Sequence, residues 1–167
     1  MLFWIIISFV ILQRFTELII AKRNAKWLIS QGAIEYGKEH YKFIVLLHVF
    51  FFISMITEYW LGGRYSDLNF INYSFLVIFV LMQFFRVWVI SSLGKYWNTR
   101  IFRIPGRQLV AKGPYKIFKH PNYIVVIGEI LVLPLVFNLF YTAIIFTILN
   151  ALMLTVRIRT ENKALEY

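Results

Sequence analysis

The chain contains no cysteine, only four prolines and few charged residues for its length of 167. The absence of cysteine excludes disulfide bonds, thiolate metal sites and a cysteine nucleophile. Charged residues make up 16% of the chain, against about 25% in average soluble proteins. Acidic residues are the scarcest charged class, at 8 against 18 Lys and Arg. The composition is therefore not that of an ordinary soluble domain.

Apolar residues make up 60% of the chain and occur in long runs. A membrane-spanning helix needs about 20 consecutive apolar residues. Runs near this length cover residues 2–20, 41–61 and 71–93, and two more, 123–137 and 139–156, are joined at Asn138. We therefore expect an all-α, polytopic membrane protein with about five transmembrane helices, of which the last two form a hairpin.

The segments between the runs predict the connections. Residues 21–40 are charged and weakly amphipathic, which indicates an interfacial segment that lies along the lipid headgroups. Residues 62–67 predict a short turn, and residues 94–122 predict a long basic loop. Residues 1–7 lack the basic start of a signal peptide, so we expect the first run to remain as an uncleaved helix.

The basic residues predict the orientation of these helices. Five, seven and three of them cluster in residues 21–42, 92–122 and 157–167 respectively. Short loops rich in Lys and Arg stay on the cytoplasmic side of a membrane. Five helices with the N-terminus outside put all three clusters in the cytoplasm. The net charge of +10 is thus explained by topology, and we expect no nucleic-acid partner.

Some polar residues interrupt the first two apolar runs. Arg14 and Glu17 stand three residues apart, so they can pair on one helix face. This pair either serves packing or forms a polar edge of a substrate cavity. His48 is more often a hydrogen-bonded packing residue than a ligand, and no partner at metal spacing accompanies it. We therefore expect no metal site.

The third and fourth runs carry one charge each. Arg86 should face protein or water, because an arginine in lipid costs at least about 2.5 kcal/mol. Glu129 is a candidate buried carboxylate. It either pairs with Arg86 or Arg157 or takes a direct part in substrate binding, and the sequence leaves both readings open.

The basic segment 107–123 runs straight into an apolar run. Gly113 permits a turn that larger residues would strain, and Pro114 and Pro121 restrict the backbone. This scaffold presents four rings, those of Tyr115, Phe118, His120 and Tyr123. His-Pro-Asn-Tyr then opens a helix, whose first N–H groups are available to a polar ligand. The alternative is an interfacial loop with aromatic anchors.

After the last apolar run, Arg157 and Glu161 stand four residues apart, on one helix face. They are either surface groups or a functional pair, in which the arginine holds an anionic acceptor and the glutamate holds a ribose or a cationic centre. The predicted topology puts them on the same side of the membrane as the basic segment 107–123.

The order and spacing of these elements resemble the isoprenylcysteine carboxyl methyltransferase family, and most closely its short bacterial branch. The ordered set comprises Leu109-Val and, after two residues, Gly-Pro-Tyr115; then Lys119-His-Pro-Asn-Tyr123; a hydrophobic hairpin; and Arg157-Ile, Glu161 and Leu165. The resemblance is most specific over residues 93–165. Two positions depart from the family pattern: Lys119 replaces a usual arginine, and Asn162 replaces a usual acid.

The resemblance implies methyl transfer from S-adenosylmethionine to a lipophilic acceptor in the membrane. It implies that the cofactor is bound by Leu109, Val110, Tyr115, His120, Pro121, Asn122, Tyr123 and Glu161. Arg157 would orient the acceptor as the catalytic residue, with Arg100 and Glu129 as further substrate-binding candidates. The acceptor would be a small lipid-like hydroxyl or enol, such as an alkylpyrone, or a prenylcysteine carboxylate.

We therefore expect one domain over residues 1–167. Residues 1–93 would form the anchor and the substrate-cavity helices, and residues 94–167 the cofactor-binding loop, the hairpin and the tail. Two other classes stay open on sequence alone. An NADPH-dependent reductase of the sterol-reductase-like group shares a similar His-Pro-Asn-Tyr element and hairpin, although such proteins are usually larger. The other is a non-catalytic membrane scaffold.

Overall fold

The computed structural model describes residues 1–62 and 68–165, and these residues form five α-helices. They are α1 (Leu2–Ser30), α2 (Lys38–Leu61), α3 (Phe70–Leu93), α4 (Pro121–Leu135) and α5 (Phe140–Leu165). All except α4 are long and apolar enough to cross a membrane. At about 1.5 Å per residue, α4 is about 22 Å long, less than the roughly 30 Å of the hydrocarbon core. The expected all-α membrane fold is confirmed.

Two short strands were not predicted. β1 (Ile34–Tyr36) pairs in antiparallel fashion with β2 (Ile101–Arg103), and Glu35 lies opposite Phe102. The pair ties the connection between α1 and α2 to the long basic loop. It therefore fixes the position of the loop relative to the helices.

The structure corrects the interpretation of residues 21–40. Residues 21–30 continue α1 without a break, and only the short segment before α2 leaves the helical conformation. Nothing in residues 21–30 stops a helix, since the first glycine after them is Gly32, which has a positive φ of 80°. The turn predicted over residues 62–67 lies outside the described residues apart from Gly62.

The predicted hairpin of the last two helices is confirmed. Asn138 lies between α4 and α5 with a φ of 57°, in the left-handed region that asparagine tolerates better than most residues. The Asn72 side chain of α3 donates to the carbonyl oxygens of Leu135 (3.2 Å) and Val136 (3.1 Å). Glu58 of α2 accepts from the backbone N–H of Thr142 at 2.7 Å, which satisfies a donor in the first turn of α5. These bonds hold the hairpin against α2 and α3.

Four charged side chains form a buried cluster between α1, α3 and α4. Arg86, which is 1% exposed, donates to Glu17 at 3.0 Å and to Glu129 at 2.7 Å. Arg14 donates to Glu17 at 2.8 Å and also contacts Glu129. The expected Arg14–Glu17 pair and the burial of Arg86 in protein are confirmed. Glu129 pairs with Arg86, as one reading proposed, and with Arg14 rather than Arg157.

The three basic segments meet at one end of the helix bundle. The Asn24 side chain of α1 donates to the carbonyl of Trp97 at 2.7 Å, and Asn98 donates to the carbonyl of Ala21 at 2.8 Å. Arg157 of α5 donates to the carbonyl of Thr99 at 2.6 Å. The basic loop therefore contacts the ends of α1 and α5. The three clusters of Lys and Arg thus lie at the same end of the bundle, as the charge distribution predicts.

Candidate active site

The end of α5 carries the two charged residues that the sequence singled out. The helix runs on through the polar tail to Leu165, because no proline or glycine interrupts it. At 26 residues it is about 39 Å long, which exceeds a hydrocarbon core of roughly 30 Å. Arg157 and Glu161, one turn apart, face the basic loop from the end of the helix.

The loop is shaped at Gly113, where a short 3₁₀ turn (Gly113–Lys116) begins with a positive φ of 53°. A Cβ atom at this position would lie 2.2 Å from the Ser92 Oγ atom and 3.0 Å from the Trp88 indole nitrogen, both on α3. The adjacent Pro114 is buried. Glycine is therefore required here for its backbone angle and for the close approach to α3.

We expect Gly113→Ala to displace the loop and to lower the thermal unfolding midpoint, because it combines backbone strain with a steric clash. Strain of this kind costs about 1–3 kcal/mol. The matched control is Gly106→Ala, which has a similar φ of 72° and open space around its Cβ position. Unfolding followed by tryptophan fluorescence checks the result. Equal midpoints for the two variants would show that the contact with α3 does not matter.

The Tyr123 hydroxyl joins the loop and the tail. It accepts a hydrogen bond from Arg157 Nε at 2.9 Å and donates one to the Glu161 carboxylate. His120, which precedes α4, lies with Nδ1 3.5 Å from Glu161 and Nε2 3.0 Å from the Asn162 side-chain oxygen. Arg157 and Glu161 are thus held together through Tyr123. Asn162, the departure from the family pattern, supports His120.

Two side chains of the loop have shifted pKa values. Glu161, through its hydrogen bond and its negative charge, raises the pKa of His120 above the ordinary value of 6.5. Burial raises the pKa of Tyr115, and the charge of Glu161 adds to the shift. Tyr115 therefore stays a neutral phenol in the physiological range, and a protonated His120 forms an ion pair with Glu161.

The His120–Glu161 pair predicts a pH dependence of stability. Because the pKa of His120 is raised on folding, its contribution is fully present below about pH 6.5, the unfolded value. The contribution is lost as the pH rises through the folded value. We expect the unfolding midpoint of the wild type to fall relative to that of His120→Asn between pH 6 and pH 9. Parallel midpoints across this range would contradict the pairing.

Side chains from the basic loop and from the end of α5 line one cavity. It is open to solvent, with about 1040 Å³ of empty space including its mouth. Its lining includes all eight residues predicted to bind the cofactor, Leu109, Val110, Tyr115, His120, Pro121, Asn122, Tyr123 and Glu161, and also Arg157 and Arg100. We call this space the loop cavity. The roles of these residues remain predictions.

A second cavity, of about 600 Å³ including open space, lies among the helices and adjoins the loop cavity. We call it the helix cavity. Trp97, Asn122 and Arg157 line both cavities. Arg14 and Arg86 of the buried cluster also line the helix cavity. Glu129, predicted to bind substrate, is not among the described residues that line either cavity, and it contacts Arg14 and Arg86 instead.

Several contacts at this site were not predicted. Thr99 accepts from Arg157 through its carbonyl, and its hydroxyl lies 3.1 Å from the Tyr41 hydroxyl. Arg100 lies 3.4 Å from Glu35 and 4.9 Å from the centre of the Tyr41 ring. These contacts depend on the β1–β2 pairing. The polar residues that follow α3 indicated that side-chain contacts could form there. Their partners are distant in sequence, so the sequence alone could not identify them.

Comparisons with known proteins include the residues of this site. The model of the isoprenylcysteine carboxyl methyltransferase (ICMT) family matches residues 75–167. The uncharacterized protein YpbQ of Bacillus subtilis (strain 168) is 44% identical over 165 residues, which cover 99% of this chain and 97% of that protein. An uncharacterized protein of Haemophilus influenzae is 32% identical over 160 residues, which cover 92% and 89% of the two chains. No solved structure matches.

Proposed function

Because the chain belongs to the isoprenylcysteine carboxyl methyltransferase family, we propose that it is an O-methyltransferase that uses S-adenosylmethionine. The observation that carries the proposal is the loop cavity, which is lined by the basic loop and by Arg157 and Glu161 of α5. It adjoins the helix cavity, which opens among membrane-spanning helices. A polar cofactor and a lipophilic acceptor would thus occupy neighbouring sites.

The lining of the loop cavity suits S-adenosylmethionine. Among the described residues, Glu161 is the one acidic side chain in the lining, and in this proposal it holds the ribose or the amino group. Arg103 and Arg107 also line the cavity and complement a carboxylate. The ring of Tyr115 also lines the cavity, and aromatic faces attract a sulfonium ion. When bound, the cofactor supplies a methyl group on positively charged sulfur.

Arg157 orients the acceptor in this proposal. Its Nε atom is fixed by Tyr123 and its Nη2 atom by the Thr99 carbonyl. Among the described residues, Nη1 makes no hydrogen bond, so it remains available to an oxygen of the acceptor. Correct alignment of two bound reactants removes about 7–11 kcal/mol from a barrier. The contribution of Arg157 is therefore positioning, without proton transfer.

The acceptor is a small lipid-like hydroxyl or enol, such as an alkylpyrone, or a prenylcysteine carboxylate. The many outward-facing apolar side chains, such as Ile19 (71% exposed) and Phe84 (68%), suit contact with lipid. We place the basic end of the bundle in the cytoplasm, with the N-terminus outside. A soluble cofactor then reaches the loop cavity while the acceptor arrives through the membrane.

Calorimetry on the purified protein tests the choice of cofactor. We expect S-adenosylhomocysteine, the demethylated product, to bind, and NADPH to give no heat of binding. Glu161→Ala should weaken the binding of S-adenosylhomocysteine by about 10–150-fold, since hydrogen bonds to charged groups contribute about 1.5–3 kcal/mol. Binding of NADPH alone would favour a reductase. Binding of neither would favour a scaffold.

A further inference from the structure

The helix cavity contains polar side chains that the proposed function has not used. Asn150 of α5 is 4% exposed and lines this cavity. Its amide makes no hydrogen bond with any described residue. His48 of α2 lines the same cavity, within a membrane-spanning helix. Buried polar groups are normally paired, so a cavity with such groups is suited to a ligand with a polar head.

The hydrogen bond of His48 determines which ring nitrogen faces a ligand. Nδ1 lies 2.8 Å from the backbone carbonyl of Ile44, one turn earlier on the same helix. A carbonyl oxygen can only accept, so Nδ1 carries the hydrogen. In the neutral ring Nε2 then keeps a lone pair. Among the described residues, no donor is bonded to Nε2.

The charged groups around His48 largely cancel, and one positive charge remains. Arg14 and Glu17 on α1 and Arg86 on α3 line the helix cavity. Glu129 on α4 lies behind them, and the two arginines are offset by the two glutamates through direct contacts. Arg157 on α5 adds one positive charge where the cavities adjoin. The buried cluster is therefore neutral as a whole, and Arg157 is the one uncompensated positive charge among these five groups.

We propose that the helix cavity binds a lipophilic acceptor through a neutral, weakly acidic hydroxyl group, which donates to His48 Nε2. This inference rests on the proposed methyl transfer and deepens it by choosing a hydroxyl acceptor over a carboxylate. A carboxylate has no hydrogen to offer, so it would set its lone pairs against that of Nε2. Sites built to pair a hydroxyl reject analogues that lack it.

His48 then acts as the proton acceptor for the reaction. The lone pair of Nε2 takes the hydroxyl proton while the acceptor oxygen forms a bond to the methyl carbon. The bond between that carbon and sulfur breaks, and its electron pair stays on sulfur as a neutral thioether. The positive charge of the sulfonium is thereby replaced by that of the His48 imidazolium, which returns its proton to water. Arg157 and Asn122, which line both cavities, flank the oxygen during transfer.

The test compares two alkyl-chain phenols of different acidity with wild type and His48→Gln. One is a 4-alkylphenol, which like tyrosine is still mostly neutral at about pH 9, and the other a 4-alkyl-2-nitrophenol, which is largely ionised at that pH. We expect His48→Gln to slow methyl transfer to the alkylphenol about 100-fold, the lower range for a lost general base. Transfer to the nitrophenol should fall by less than about threefold, because its oxygen is already ionised and needs no base. Equal losses for both phenols would overturn the role of His48.

A second measurement needs no cofactor. In protein with ¹⁵N-labelled histidine, we expect adding the alkylphenol alone to shift the Nε2 signal of His48, which is assigned by its absence in His48→Gln. No shift at saturating phenol would also overturn the proposal.

Binding of S-adenosylhomocysteine should be the same in both proteins, which shows that the variant is folded. A wild type that methylates only carboxylates would refute the hydroxyl class, and one that binds no S-adenosylhomocysteine would instead refute the proposed function.

Discussion

Replacing Arg157 with alanine should reduce methyl transfer by about 100–1,000-fold, the range for loss of one preorganised donor at a reacting oxygen. The side chain is held by Tyr123 and by the Thr99 carbonyl, which leaves Nη1 for the acceptor. The expected effect is on transfer rather than on cofactor affinity, since the loop cavity keeps Glu161 and its other lining residues. A radiolabelled methyl transfer assay measures the rate, and calorimetry with S-adenosylhomocysteine measures the affinity.

Glu161→Ala should reduce transfer by the other route, through weaker binding of the cofactor. The carboxylate accepts from Tyr123 and lies beside His120, so its removal also takes one partner from each of two side chains that line the loop cavity. Both variants should insert into the membrane like the wild type. Raising the concentration of S-adenosylmethionine should restore part of the activity of Glu161→Ala and none of that of Arg157→Ala.

The chain offers matched controls for both substitutions. Arg159→Ala removes an exposed arginine two residues from Arg157, and Glu39→Ala removes an exposed glutamate at the start of α2. We expect both to transfer methyl groups at the wild-type rate. Normal turnover in Arg157→Ala or Glu161→Ala would refute the assignment of the site. A loss of methyl transfer in all four variants would indicate that the activity depends on surface charge in general.

Replacing Arg86 with methionine should lower the free energy of unfolding by about 3–5 kcal/mol, the usual cost of breaking a buried ion pair by removing one partner. Arg86 is 1% exposed and bonds to both Glu17 and Glu129. Methionine keeps most of the volume, so the expected loss comes from two carboxylates that are left, among the described residues, with Arg14 as their one cationic partner. Adding Glu129→Gln should recover part of the stability, because it removes one uncompensated charge.

The control for this prediction is Arg23→Met, which makes the same change at an exposed position of α1. Substitutions at such positions usually change stability by less than about 0.5 kcal/mol. Thermal and denaturant unfolding, followed by tryptophan fluorescence in detergent, measures both variants. If Arg86→Met and Arg23→Met were equally stable, the cluster would not contribute to the fold.

The sequence predicted the helices well where apolar length alone decides the structure. The hairpin at Asn138 followed from two apolar runs with one polar residue between them, and the burial of Arg86 followed from the cost of a charge in lipid. The predicted cofactor residues were implied by the family resemblance, and the structure brings them around one cavity. Their chemical roles still await the variants above.

Other features could not be predicted because their causes lie far apart in the chain. The loss of hydrophobicity after Ile20 predicts the end of lipid contact. A helix, however, ends only where its backbone hydrogen bonds end, so α1 continues to Ser30. β1 and β2 have three residues each, too few for a pattern of alternation. The contacts of Glu129 with Arg14, 115 residues away, depend on how three helices pack.

The most direct test of the account is the transfer of a radiolabelled methyl group from S-adenosylmethionine to a total lipid extract by the purified protein. We predict a labelled product that partitions into the organic phase, that forms with the wild type and Arg159→Ala, and that Arg157→Ala does not form. The label should survive mild base, as an ether does and a carboxyl methyl ester does not. The absence of any labelled lipid with wild-type protein that binds S-adenosylhomocysteine would contradict the proposed function.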